Sequence, residues 1–359
     1  MTEDPRKLGG APNQPVRADL PSAWYGKDLQ NQDDWIWRMQ PEHIEELDAA
    51  LQLSKEKGLP EQDVTQEDFP LDGFRDALAR MVHELEYGRG FMLMRGFPVE
   101  RYDYADIRRL YWGIGQHIGT PESQNIKGEL IQEIRDYGFD YTKSEHRGSM
   151  SAAELRPHCD ITDIVALLCL RVSKSGGESF IRSSMTIYNE IFDTHPEYLP
   201  ALHRGFHFEL DGKGPTGDPN EVTHRIPTFS WNEGYLACRF NQKAIESGAI
   251  KAGAPLSKLE QAAVNLVGDT AMRDDVTLSM TFEPGDIQWL NNYVILHSRG
   301  GFEDHDEPER KRLLLRLWLN HADAMPLDDD FANKALSGPR KGVIKRDATY
   351  ESADFLKTA

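Results

Sequence analysis

Arg156-Pro157-His158-Cys159-Asp160 runs almost directly into Asp163-Ile-Val-Ala-Leu-Leu-Cys-Leu-Arg-Val172. An apolar run of this length, free of Gly and Pro, reads as a strand. In extended chain alternate side chains share a face, so His158 and Asp160 point one way and Cys159 the other. A neutral imidazole and a carboxylate so placed can close on one metal ion, and a third ligand is expected from a distant histidine. His297 meets that need at the end of Gly285-Asp-Ile-Gln-Trp-Leu-Asn-Asn-Tyr-Val-Ile-Leu-His297.

Outward from this stretch the sequence predicts further strands at 178–182, 204–210, 223–231, 235–240, 276–282, 286–291, 293–297 and 312–319, with helices at about 184–202 and 255–272. In 276–282, Leu278, Met280 and Phe282 alternate onto one face. Upstream, helical spacing marks 41–53 (Ile44, Leu47, Leu51) and 71–87 (Phe74, Leu78, Met81, Val82, Leu85), and a further helix runs from Tyr104 to His117. Gly90–Phe97 and Glu129–Arg135 read as short strands. Many short strands with turns between them predict a mainly β fold, a sandwich or barrel with flanking helices. No repeat or linker divides 41–359, so it reads as one domain. Residues 1–40 read as an arm, polar at first and then tied to the body by Trp24, Trp35 and Trp37. Residues 136–157, polar and without period, read as a lid leading to the metal pair.

Lys and Arg total 41 against 59 Asp and Glu, a formal charge of -18. No basic stripe is available for phosphates, so nucleic acid is not an expected partner, and a small molecule is. Cys159, Cys169 and Cys238 form neither a disulfide framework nor a Cys-x-x-Cys zinc spacing. A reducing, cytoplasmic setting is expected. No apolar run approaches the about 18 residues of a membrane span, so no membrane partner is expected; a homo-oligomer is left open.

Two imidazoles and one carboxylate leave adjacent positions on the ion open, the ligand set of non-haem Fe(II) oxygenases. On the last strand Arg312, Leu314 and Arg316 share a face, with Leu313, Leu315 and Leu317 opposite. Guanidiniums buried on such a strand need partners. With Pro157-His-Cys-Asp160, Ser175-Gly-Gly-Glu-Ser179, Gly285-Asp-Ile-Gln-Trp-Leu-Asn-Asn292, His297-Ser-Arg299 and Arg310-Lys-Arg-Leu-Leu-Leu-Arg316 in that order, the chain resembles the taurine dioxygenase (TauD/TfdA-like) family of Fe(II)- and 2-oxoglutarate-dependent oxygenases over roughly 88–320. The resemblance implies a double-stranded β-helix, or jelly roll. It implies Fe(II) on His158, Asp160 and His297, with 2-oxoglutarate and O2 as co-substrates. Arg312 would pair with the distal carboxylate of 2-oxoglutarate. Ser179, where the family usually has Thr, would add a hydroxyl. Arg316 would reach the substrate, and Gln124 and Asn125 stand where relatives line the mouth of the site. Asp160 is kept, where halogenating relatives carry a small residue. The implied outcome is therefore hydroxylation, desaturation or oxidative cleavage of a small or medium organic molecule, with release of succinate and CO2.

A cupin-like hydrolase or isomerase would use the same three ligands but has no need of Arg312. A binding protein without chemistry has no need of all three ligands. Cys159 reads as packing. Asn291 and Asn292 read equally as supports for His297 or as a turn. His146 reads as a surface residue of the lid. His195, His203, His207, His224, His305 and His321 read as structural, and Trp289 and Trp318 as core aromatics.

Overall fold

The computed structural model describes residues 4–8, 15–138, 151–331 and 342–345. Its larger sheet runs in the order Ile36–Arg38, Phe91–Arg95, Ile287–Asn291, Ile164–Arg171, Leu313–Asn320 and Thr120–Pro121, with Ile131–Ile134 also paired to Leu313–Asn320. All these pairings are antiparallel except the first, where Ile36–Arg38 lies parallel to Phe91–Arg95. The smaller sheet, wholly antiparallel, runs Thr277–Met280, Ser179–Ser183, Ile295–Arg299 and Leu155–His158.

The period-two pattern decides which layer each strand residue joins. Leu313, Leu315, Leu317 and Leu319 are buried with Ile164, Ala166, Leu168, Ile287 and Trp289 against the helices Pro41–Glu56, Arg75–Tyr87 and Tyr104–Gln116. Leu314, Trp318, Val165, Cys169 and Leu290 face the other way, into one cluster with Ile181, Leu278, Met280 and Ile295 of the smaller sheet. Each fully buried Leu or Ile contributes about 1.5–3 kcal/mol, so a one-residue slip of this strand, buried on both faces, would turn four leucines toward the cavity and drive Arg316 under the helices. The result is a jelly roll with helices on its larger sheet.

Several expectations shift for local reasons. The predicted helix 184–202 ends at Thr194 and resumes at Leu199, because Pro196 disfavours helical geometry at His195, which sits at φ -143°. Pro227 likewise divides the predicted strand 223–231 into Val222–Ile226 and Phe229–Asn232. The helix Gln242–Lys251, N-capped by Asn241 Oδ1 on Ala244 N at 3.1 Å, carries too few apolar residues to declare itself. Its Gly248 sits so close to the strand Phe206–Glu209 that a Cβ would lie 2.3 Å from His207 O. Trp24 and Trp35 of the arm are buried, and Ile36–Arg38 forms an edge strand of the larger sheet. The lid expectation falls largely on 139–150, His146 included, outside the described residues. Leu155–His158 at its end is a strand paired with Ile295–Arg299. Among the described residues no helix is long and apolar enough to cross a membrane.

Candidate active site

Strand pairing brings the ligands together. His297 and His158 are register partners on adjacent antiparallel strands, with ring centroids 4.3 Å apart. Asp160 Oδ1 lies 3.9 Å from His158 Nε2, and Asp160 Oδ2 lies 4.0 Å from His297 Nε2. One donor atom from each falls within 4.8 Å of the others. His158 Nδ1 is 2.9 Å from Arg156 O; a proton on that nitrogen leaves the Nε2 lone pair toward Asp160. Burial keeps both imidazoles neutral, pulling His297 down to about 3 and His158 below its ordinary value. Burial would raise the Asp160 carboxyl, but the Arg316 guanidinium, with the Trp318 indole donating to it, holds it well below the carboxylate range. Two neutral imidazoles beside an ionised carboxylate, with an open cavity on one side, suit Fe(II).

The ligands are braced from behind. Arg316 Nη1 donates to Asp160 Oδ2 at 3.1 Å, and Trp318 Nε1 donates to the same oxygen at 2.9 Å. Arg316 Nε donates to Gln124 Oε1 at 2.7 Å and Nη2 to Gln132 Oε1 at 3.0 Å. All three of its nitrogens are therefore engaged. Gln124, fully buried, also donates to Leu130 O and Arg316 O at 2.8 Å, so it too is committed within the protein. Asn125 does not line the cavity. Its side chain closes the local turn, accepting from Lys127 N at 3.0 Å and donating to Glu129 at 2.6 Å. Asn292 Oδ1 accepts from Asp160 N at 3.1 Å, while Asn291 Oδ1 accepts from Tyr293 N at 2.9 Å. One asparagine thus steadies a ligand, though Asp160 rather than His297, and the other forms the turn. Cys159 is buried in the core cluster. His203, His207, His224 and His321 each meet a backbone carbonyl away from the ligands.

A cavity of about 260 Å³ opens beside the three ligands. Ser179 and Arg312 lie on its wall, buried to 6 % and 5 % exposure. Ser179 Oγ is 3.1 Å from Gln288 Oε1. Arg312 Nη1 has no hydrogen-bond partner among the described residues. Burial lowers the Arg312 pKa, and the Asp304 carboxylate opposes that. A desolvated guanidinium with an unmatched N–H is costly until an anion meets it, which suits a carboxylate of 2-oxoglutarate.

Sequence reasoning missed part of this site. Trp318 was legible in principle, because it lies two residues beyond Arg316 on the same strand face. Gln132 was not: it reaches Arg316 through cross-strand register. Nor was the wall made by Phe208, Glu209, Asp211, Lys213, Arg239 and Lys243. That segment carries no motif and reaches the site because Phe240 O accepts from Cys159 N at 2.9 Å and Asn241 bridges His158.

Residues 55–318 match the family model described as taurine catabolism dioxygenase TauD, TfdA family. The chain is 33% identical over 303 residues to FR-33289 synthase of Streptomyces rubellomurinus, covering 83% of this chain and 89% of that protein. It is 26% identical over 334 residues to taurine hydroxylase-like protein SAT17 of Stachybotrys chartarum, covering 90% and 83%. Among solved structures it resembles asparagine oxygenase with Fe(II), 2S,3S-3-hydroxyasparagine and succinate, with a TM-score of 0.64 at 15% identity over 80% of this chain and 93% of that one. The non-heme iron oxygenase OrfP, in complex with Fe, succinate and (3S)-hydroxy-L-Arg, gives a TM-score of 0.57 at 13% identity over 79% and 94%. The chain therefore belongs to the TauD/TfdA family and is an Fe(II)- and 2-oxoglutarate-dependent oxygenase.

Proposed function

We propose that His158, Asp160 and His297 hold Fe(II), that Arg312 and Ser179 hold the distal carboxylate of 2-oxoglutarate, and that the substrate is a small molecule bearing an anionic group. The observation that carries the co-substrate assignment is the unmatched Nη1 of buried Arg312 on the cavity that the three ligands also line. Bound together, iron, 2-oxoglutarate and O2 supply an oxidant that takes hydrogen from an unactivated carbon, with release of succinate and CO2. The chain's own part is to orient and to exclude water. Arg316 and Trp318 fix the Asp160 carboxylate, and Gln124 and Gln132 fix Arg316. With its nitrogens so engaged, Arg316 acts as a positioning residue, and the substrate is anchored elsewhere.

Lys213, Arg239 and Lys243 stand on the cavity with Glu209 and Asp211, three cations to two carboxylates, and this excess of positive charge favours an anionic group there. The Arg239 guanidinium lies 4.9 Å from the centre of the Phe208 ring. Burial brings it down to about 10, so it stays charged at neutral pH. Glu209 on that wall is offset by Lys251 at 3.0 Å, and Asp211 is the other acid there. A partly desolvated cation on a cavity wall attracts anions far more strongly than one in water. The test is a screen on iron-loaded protein with 2-oxoglutarate, reading succinate above the uncoupled background. It compares short alkyl carboxylates, sulfonates and phosphonates with neutral alcohols and amides of the same shape. Anions should stimulate, and Arg239→Gln should abolish that preference; equal stimulation by the neutral analogues would refute the anionic-substrate reading.

A further inference from the structure

Residues 151–154 lead into the strand that carries His158, and three successive carbonyls there are taken by one short stretch of chain. Arg299 Nη2 donates to Ser151 O at 2.8 Å and to Ala153 O, and Phe302 N donates to Ala152 O at 3.0 Å. The Phe302 ring in turn lies against two buried guanidiniums, Arg299 at 4.7 Å and Arg312 at 5.1 Å from its centroid. Gly177 permits this packing. It sits at φ +80°, and a Cβ there would come within 3.3 Å of both Arg312 Nε and Phe302 Cβ.

We propose that Phe302 is a positioning residue for the co-substrate, holding Arg312 in place for 2-oxoglutarate and, through Arg299, coupling occupancy of that subsite to the order of residues 151–158. The inference rests on the assignment of Arg312 to 2-oxoglutarate. The ring offers each guanidinium a cation–π contact in a site poor in water. Two like charges against one ring also repel, and that repulsion is weakly screened away from solvent. A carboxylate on Arg312 offsets it, so co-substrate binding and the clamp on 151–153 favour each other, and by linkage the effect is reciprocal.

The test uses the full-length protein loaded with Fe(II) without oxygen. The Kd for 2-oxoglutarate is read by calorimetry, and hydrogen exchange is followed over 151–158. Phe302→Leu should raise the Kd about tenfold with iron affinity unchanged. Phe302→Tyr, which keeps the aromatic face, should bind as the native protein does. Added 2-oxoglutarate should slow exchange over 151–158 in the native protein and not in Phe302→Leu or Arg299→Gln. The proposal is overturned if Phe302→Leu binds normally, if Phe302→Tyr is as weak as Phe302→Leu, or if 2-oxoglutarate leaves native exchange unchanged. Arg312→Ala separates the two levels. Normal 2-oxoglutarate binding in that variant removes the assignment of Arg312 itself, whereas its loss beside a normal Phe302→Leu removes only the role of Phe302.

Discussion

Arg312, just before the strand Leu313–Asn320, and Arg316 within it line the same cavity and are similarly buried, at 5 % and 8 % exposure. Around Arg316 every guanidinium nitrogen is met by Gln124, Asp160 or Gln132. Around Arg312 one nitrogen is left without a partner among the described residues. Arg316 braces Asp160 from within the protein, whereas Arg312 keeps an N–H that no described residue meets. What separates them is position: Arg316 lies inside the strand, opposite Gln132 in register and within reach of Gln124 and Asp160, whereas Arg312 precedes the strand.

The largest effect belongs to what Arg316 supports. His158→Ala, Asp160→Ala or His297→Ala should each take succinate formation to background and weaken Fe(II) binding steeply, with the fold retained by circular dichroism. Near-native turnover in any of the three would remove that residue from the ligand set. Next comes Arg312. Arg312→Ala should raise the KM for 2-oxoglutarate more than a hundredfold, because breaking a buried charge pair costs roughly 3–5 kcal/mol. Arg312→Lys should recover only part, since an ammonium lacks the planar fork. If the KM is unchanged in Arg312→Ala, the comparison between the two arginines collapses.

The bracing of Asp160 by Arg316 predicts a smaller and different signature. Arg316→Met should lower iron affinity and kcat by about 10–100-fold, the range for groups that orient metal ligands, while the KM for 2-oxoglutarate moves little. A rise in that KM equal to the one seen in Arg312→Ala would mean that both arginines hold the co-substrate.

The smallest effect is on stability, and it sharpens the rule that an unmatched buried atom awaits a ligand. Glu122 is 3 % exposed, its carboxyl facing Thr162, Asn320 and the Gly342 backbone without a close, well-aligned hydrogen bond, and it does not line the cavity. Here a proton can answer the need. Burial, only partly opposed by Thr162 and Asn320, lifts its pKa from 4.5 to about 7. Because the folded value is the higher one, the stability from this group is complete below about pH 4.5 and is lost as pH rises to about 7. Glu122→Gln should therefore match the native protein near pH 4.5 and exceed it by on the order of 2–3 kcal/mol at pH 8. Denaturation curves at several pH values check this; a pH-independent difference would mean that Glu122 is ionised in the fold throughout.

Much of this was legible in the chain itself, for reasons of short range. The alternation through Leu313–Leu319 chose the two faces of the central strand, and extended geometry at His158-Cys159-Asp160 put two ligands on one side and the thiol on the other. Prolines marked breaks whose consequence for the helix at 184–202 and the strand at 223–231 is visible only in retrospect. The ligand types and their order along the chain were enough to bring the family into view, because metal chemistry restricts which side chains can serve.

What only the tertiary structure decided is where partners meet. Register put Gln132 opposite Arg316, while Arg312, ahead of the strand, kept a nitrogen unmatched among the described residues, and no local pattern encodes the pairing of strands so far apart in sequence. The indole of Trp318 became a donor to Asp160 rather than simple packing. The wall with Arg239 and Lys243 was carried to the metal strand by backbone hydrogen bonds, which read the same for any side chains. Periodicity and residue chemistry are properties of neighbours along the chain. Hydrogen-bond satisfaction in a buried site is a property of neighbours in space, and it exists only once the two sheets have closed.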